Sequence, residues 1–282
     1  MKTVRIAAVT MVRDGEEYLK RWTAWYGGQL GMGNLYIFFD GTDQTPPPCT
    51  AGCNVRVVPR VEGSVAEGDR GRVKLLSDFA SGLFGQYDFV IGPDVDELIA
   101  PDPTLELSLA EYLSSLDAGS RKCFSALGCD VVQNLSCEAP MNWERPFLDQ
   151  RSFALLSTRY TKASILCKPA QWGSGFHRVK GSNIKILKDL YLFHFGCVDA
   201  SGIDARIADR DLASRGWSHH LEKRRRLFKL VADLQPQDWE LWTSRARRIQ
   251  TWCRPPYAWN KPAMLGMRVL VRIPKRFRGL AL

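Results

Sequence analysis

Asp94, Asp96 and Glu97 place three carboxylates within four residues, directly after the apolar run Tyr87-Asp88-Phe89-Val90-Ile91. Hard oxygen donors at this density suit Mg2+ or Mn2+, whose octahedron a substrate phosphate commonly completes. If Tyr87 to Ile91 is a buried strand, its alternation sends Asp94 and Asp96 to the same side at its C-terminal end. That is the edge at which open α/β sheets bind ligands. A second acidic turn, Asp40-Gly41-Thr42-Asp43, follows the β-forming run Asn34 to Phe39. An isolated acidic turn is most often a solvated loop, so the pair gains meaning only if the fold brings both strand ends together.

Four histidines complete the inventory, at 177, 194, 219 and 220. His194 lies within Leu190 to Phe195, an apolar run where an imidazole without a partner costs about 1–3 kcal/mol. His177 ends the turn Trp172-Gly-Ser-Gly-Phe-His177, while His219-His220 opens a basic stretch and reads as structural. Lys162 and Lys168 flank a short apolar run and are candidates for holding a phosphate; Trp172 is a candidate platform for a sugar ring. Arg70, Arg72 and Lys74 precede the acidic strand. Charges on the wet face of a helix are the ordinary reading of such residues.

The elements that must position these groups follow from periodicity. Val4 to Val12 reads as a strand, Glu16 to Leu30 as a helix, Asn34 to Phe39 and Val55 to Val58 as strands, and Asp69 to Phe84 as a helix leading into Tyr87 to Ile91. Alternating strands and helices imply a mostly parallel sheet with right-handed crossovers. Ser108 to Leu116 reads as a short helix capped by Thr104 or Ser108. From 123 to 200 the pattern changes to short β-like pieces at 151–158, 164–167, 183–187 and 190–195, suggesting an antiparallel extension of the same sheet. Helical patterns return at 206–215, 218–234 and 239–252.

With 282 residues, 45% hydrophobic and 24% charged, the chain is an ordinary globular length and composition. No window reaches the roughly 18 uninterrupted apolar residues of a membrane span. The eight cysteines show no CxxC pairing, which argues against a zinc module and for reduced thiols in the cytoplasm, with a Cys49–Cys53 disulfide left open. The net charge of +9 is uneven: no Asp or Glu follows Glu240, while ten Lys or Arg lie between Arg245 and Arg278. Within that stretch, Met267 to Arg278 interleaves apolar and cationic residues, a pattern suited to the surface of an anionic membrane or to a solubilising tail.

Three turns in order, Val12-Arg13-Asp14-Gly15-Glu16, Phe39-Asp40-Gly41-Thr42-Asp43 and Asp94-Val95-Asp96-Glu97-Leu98, make the chain resemble nucleotide-sugar glycosyltransferases of the GT-A type, in the family 2-like branch with a DxDE motif. The extra Gly15 and Leu98 in place of the usual Phe depart from that pattern. The resemblance implies an α/β, Rossmann-like fold: a mixed, mostly parallel sheet flanked by helices, with a helical basic C-terminal extension. It divides the chain into a catalytic domain over 1–200, with a nucleotide-binding half to about 100 and an acceptor half beyond it, and an extension over 201–282.

It further implies that Thr10, Arg13 and Asp40 lie beside the nucleoside, that Arg70 or Lys74 meets the diphosphate, and that Asp94 approaches the ribose or the metal. Asp96 would bind Mn2+ or Mg2+, and His194 would be a third ligand; Glu97 and His177 are additional candidates. Transfer with inversion needs a carboxylate to deprotonate the acceptor hydroxyl. Asp130, Glu138, Glu144 and Asp149 are available, and Glu144 and Asp149 are favoured because aromatic or polar neighbours suited to sugars surround them. The function so implied is sugar transfer from a nucleotide diphosphate donor to a saccharide or lipid-linked acceptor in cell-surface polysaccharide or lipopolysaccharide assembly, by a cytoplasmic protein peripheral to the membrane. An inactive scaffold and a basic nucleic-acid-binding protein are the rival readings; no nucleic-acid motif accompanies the charge.

Overall fold

In the computed structural model, which describes residues 4–60, 64–214 and 216–280, strand β1 (Ile6–Val12) is buried on both faces by its run of Ile, Ala and Val. Helix α1 (Glu16–Leu30) follows and buries Leu19, Trp22, Thr23, Trp25 and Tyr26. Strands β2 (Leu35–Asp40) and β3 (Asn54–Val58) then add in parallel on one side of β1. Helix α2 (Val65–Leu83) begins earlier than periodicity suggests, because the Glu67 carboxylate accepts the Ser64 amide at 2.8 Å in a capping box. It returns the chain to β4 (Phe89–Ile91), parallel to β1 on its other side.

The order β3-β2-β1-β4 thus reverses direction at β1. A crevice opens there at the carboxyl ends of the strands, the place where doubly wound sheets receive ligands. The turns at 13–16, 40–44 and 94–97 all stand at this edge, beyond Val12, Asp40 and Ile91.

The remainder of the sheet is largely antiparallel. It comprises β5 (Glu97–Pro101), α3 (Leu109–Ser114, capped by Ser108), β6 (Cys123–Val132), α4 (Phe147–Gln150), β7 (Phe153–Leu156), β8 (Ile165–Leu166) and β9 (Ile186–Cys197). β8 joins the halves by pairing antiparallel with both β4 and β6. β9 lies parallel to β6 and antiparallel to β5. The outer edge of β5 is closed by α1, whose Tyr26 hydroxyl accepts the Ile99 amide at 2.9 Å and whose Trp25 indole donates to the Ile99 carbonyl at 3.0 Å.

The C-terminal segment forms α5 (Ala200–Ala208), α6 (Arg210–Ser214), α7 (Ser218–Asp233), α8 (Trp239–Trp252) and β10 (Val269–Arg272). Arg215, the end of the helix expected over 206–215, lies outside the described residues. The stretch 267–278 is not a free tail: β10 pairs antiparallel with β7, and Phe277 is fully buried. All eight cysteines are free thiols. Among the described residues, no helix is long and apolar enough to cross a membrane.

Arg276 fastens this segment by donating twice to buried Asp102, at 2.8 and 2.7 Å, and reaching Glu240 at 2.6 Å. Burial would raise the Asp102 carboxyl, but Arg276 and Thr104 hold it below its usual range. A depressed carboxylate stabilises the fold above its unfolded pKa and stops doing so as pH falls through the folded value. Arg276→Met should therefore lower stability by about 2 kcal/mol at pH 7, since Arg276 is partly exposed. Urea unfolding should show that deficit narrowing below about pH 4, the unfolded carboxylate range; a pH-independent deficit would mean that packing, not charge, fastens the segment.

Candidate active site

Register alone assembles the centre of the site. Glu97 on β5 and Asp130 on β6 both stand opposite His194 on β9, so three neighbouring strands present Glu97, His194 and Asp130 in one cross-strand row. Asp130 meets the His194 Nδ1 at 2.7 Å, and Asp96, one residue before β5, meets Nε2 at 3.2 Å. The Tyr160 ring stacks on the imidazole with centroids 3.8 Å apart. Gly196 makes this proximity possible: a Cβ there would stand 2.6 Å from His194 Nε2 and 2.9 Å from Asp96 Oδ2. Burial disfavours the imidazolium, but Asp96 and then Asp130 lift His194 to about 9. Burial likewise opposes ionisation of Asp96, and His194 overrides it to hold the carboxyl at about 2.

Asp94 has different partners. Arg72, from α2, donates to one of its oxygens, and the buried Lys162 ammonium donates to the other at 2.6 Å. Lys162 also reaches Glu97 at 2.5 Å, so one cation bridges two carboxylates. Burial pushes Glu97 up to about 7 despite Lys162, while at half-buried Asp94 the same penalty is overridden by Arg72 and then Lys162, which hold it far below the usual range. Asp69 completes this side, accepting from Arg72 at 3.1 Å and from the Gly175 amide at 3.2 Å.

The first two turns are joined by Arg13, which donates to the Asp40 carbonyl at 2.8 Å and grips both oxygens of Asp43 at 2.9 and 2.7 Å. Gly41, at φ 129°, leaves room for that guanidinium, which a Cβ at this position would strike. Thr10 is fully buried in β1, and its hydroxyl has no hydrogen-bond partner among the described residues. Thr10, Arg13 and Asp40 thus share the β1–β2 end of the crevice, and Asp94, Asp96, Glu97, Lys162 and His194 its centre.

Other candidates lie elsewhere. Arg70 is exposed, and Lys74 pairs with Asp78 at 2.5 Å on the outside of α2, so Arg72 is the cation that this helix sends inward. Trp172 is buried, its indole donating to the Ala163 carbonyl at 2.7 Å, and offers no face to a ligand. Burial and then the Lys162 charge push His177 down to about 4. Glu144 is exposed and pairs with Lys20 at 3.2 Å, on a loop whose neighbour Trp143 meets Tyr18 edge-on. Asp149 accepts the Gly279 amide at 2.8 Å, Glu138 holds the Asn134 and Ser152 amides, and Lys168 donates to the Gly119 carbonyl. Asp130, one of four acids open to the role of base, is instead the partner of His194. A lone acid in the buried run 123–132, matching a lone imidazole in 190–195, is the signal that could have paired them.

Asp94, Asp96 and Glu97 bring ligand oxygens within 4.8 Å of one another, a set able to hold a divalent cation. Its members are unequal. Asp94 and Glu97 already share Lys162, whereas Asp96 pairs, among the described residues, through one oxygen with His194. A separation of 3.2 Å between Asp96 Oδ2 and His194 Nε2 fits two adjacent ligands of one small ion, and Asp130 stands behind the imidazole where metal-bound histidines commonly have a carboxylate.

No protein-family model matches the chain, and no curated protein does. Among solved structures it is similar to a mannose-1-phosphate geranyltransferase from Thermus thermophilus, with a TM-score of 0.28 and 11% identity, over 82% of this chain and 68% of that one. A likeness at this level carries no weight for the site, which rests on the strand order and side-chain geometry above.

The raised His194 value has a definite consequence. A group whose folded pKa exceeds its unfolded one stabilises the fold below the unfolded value and ceases to as pH rises through the folded value. In EDTA-treated protein, an NMR titration should show one of the four histidines changing near pH 9, with thermal stability declining between about 6.5 and 9. Four histidines all titrating at or below about 6.5 would refute the paired imidazolium.

Proposed function

We propose that the chain is a glycosyltransferase of the GT-A type that takes a sugar from a nucleotide diphosphate donor, with Mn2+ or Mg2+ held by Asp96 and His194. The observation supporting this most is the convergence of the Arg13 clasp, Asp94 and the Asp96–His194 pair on the crevice where strand order reverses. In this reading Thr10 and Asp40 flank the nucleoside. Asp130 fixes the imidazole orientation and keeps Nε2 aimed at the crevice. Lys162 and Arg72 neutralise Asp94, so that a ribose hydroxyl can approach it without repelling the diphosphate. When bound, the cation supplies positive charge to the departing diphosphate.

Inversion then requires a base on the acceptor side. Of the two favoured carboxylates, Glu144 suits this role better: its loop is pinned to α1 by Lys20 and Arg21 and adjoins Tyr18, whose hydroxyl bonds to Phe195 beside His194. Asp149 serves the Gly279 turn instead. The test is thermal shift with UDP- and GDP-sugars, with and without Mn2+. A donor at about a hundred times its Kd stabilises the fold by about 2.7 kcal/mol. Stabilisation should need donor and metal together, vanish in Asp96→Asn and persist in Glu144→Gln, which should lose transfer. Full metal-dependent stabilisation in Asp96→Asn would sink the assignment.

A membrane-linked acceptor is part of the proposal, but through a different surface from the 267–278 stretch. Trp252, Tyr257 and Leu265 are 84%, 79% and 74% exposed, near Arg248, Arg254 and Lys261. Exposed aromatics beside cations suit an anionic interface. Flotation with anionic vesicles should recover the protein, and Trp252→Ser/Tyr257→Ser should reduce recovery severalfold; equal recovery would exclude this surface.

A further inference from the structure

Two arginines of the C-terminal segment lie on helices packed over the strands of the site, and their guanidinium groups have no hydrogen-bond or ion-pair partner among the described residues. On α7 the buried residues Leu221, Phe228 and Val231 form one stripe, and Arg224 falls inside it at helical spacing. On α5, Arg206 stands one turn beyond buried Ile203. α7 packs on β6 and β9, the strands carrying Asp130 and His194, and α5 packs on α7, where Asp204 and Arg225 pair at 3.2 Å. Both inward arginines are half-buried, and Arg206 additionally lies 6.0 Å from the Trp217 ring centroid. Neither makes a hydrogen bond or ion pair among the described residues, although each guanidinium carries five donors.

The bland reading is that they balance the acids through space. Arg72 shows how a compensating arginine behaves in this site: it binds Asp94 and Asp69 directly. Arg206 and Arg224 do not, and they repel one another. Burial and then the Arg224 charge push Arg206 below its ordinary range. Burial works against the Arg224 charge too, but Tyr160, Cys197, Asp96 and Asp130 together outweigh it and hold this guanidinium above its ordinary range. Two adjacent, partly desolvated guanidinium groups with free forks match a doubly charged oxyanion.

We propose that Arg206 and Arg224 form an anion site for a phosphate-class group, a monoester or diphosphate, beside Asp96 and His194 on the side of the crevice away from β1. The ligand's source, though not the anion site, rests on the nucleotide-sugar reading. A donor diphosphate reaching past Asp96 and an acceptor carrying its own phosphate present the same chemistry to the pair.

Calorimetric titration of metal-free, full-length protein with pyrophosphate tests the site without turnover. Arg206→Met and Arg224→Met should each weaken binding at least tenfold, Arg224→Lys should keep part of it, and Arg226→Met, on the outer face of α7, should bind as the wild type does. Should Arg224→Met fail to fold, Arg206→Met and Arg224→Lys carry the test. In a second titration with Mg2+ added, competition by saturating UDP would identify the donor diphosphate, and binding alongside UDP an acceptor phosphate; either outcome supports the pair. No pyrophosphate binding at millimolar concentration, or unchanged binding in Arg206→Met/Arg224→Met, overturns it. Pyrophosphate binding without any nucleotide-sugar binding would remove the donor reading and leave the anion site standing.

Discussion

Lys162 is the group without which the acidic edge could not close. Its ammonium, almost wholly shielded from water, lies 2.6 Å from Asp94 and 2.5 Å from Glu97. Buried carboxylates this near one another are tolerable only when cations meet them, because the desolvation of each charge is otherwise uncompensated. Lys162 and Arg72 neutralise the Asp94 side, and His194 serves Asp96 and Asp130. The two arrangements divide the acids into a closed group and an open one. Asp94 and Glu97 are committed to protein cations, leaving Asp96 as the carboxylate with coordination to spare.

That division depends on register. Glu97, His194 and Asp130 are side by side because β9 runs antiparallel to β5 and parallel to β6, and a shift of one residue in either pairing would turn His194 to the opposite face. The surroundings hold that register. Tyr26 and Trp25 clasp the Ile99 backbone, and Tyr160 stacks on the imidazole. Preorganisation of this kind costs nothing at the moment of reaction, which is why charge-stabilising groups are most effective when the fold already fixes them.

The parallel half is legible in the sequence because its strands and helices differ in period. The acidic turns are legible because residue type announces hard-ligand chemistry. β5 and β6 escape such a reading: buried on both faces, they lack the alternation that marks a half-exposed strand. β9 reads as two pieces because Lys188-Asp189 interrupts its apolar pattern, with Asp189 at a positive φ of 53°. Arg72 loses out to Arg70 and Lys74 because amphipathicity fixes which face of α2 is inward, not which flank of that face meets the crevice. β10 is hidden by the arginines that bracket its apolar residues, Arg268 and Arg272, since a short apolar run between cations fits an edge strand as well as an amphipathic tail.

The C-terminal segment shows how composition can mislead while remaining informative. Its excess of basic residues reads as a property of a tail, yet the fold gives individual cations separate tasks. Arg276 commits its charge to buried Asp102, and its neighbour β10 extends the sheet. Arg225 joins α7 to α5 through Asp204. Arg206 and Arg224 have no hydrogen-bond or ion-pair partner among the described residues, on helices that pack over the strands bearing His194 and Asp130. Burial and the neighbouring Arg224 charge disfavour the Arg206 cation in the folded state, a cost that an anion meeting the pair would relieve. A ligand that does so stabilises the folded state by mass action, and by the same linkage draws α5 and α7 more firmly onto the site.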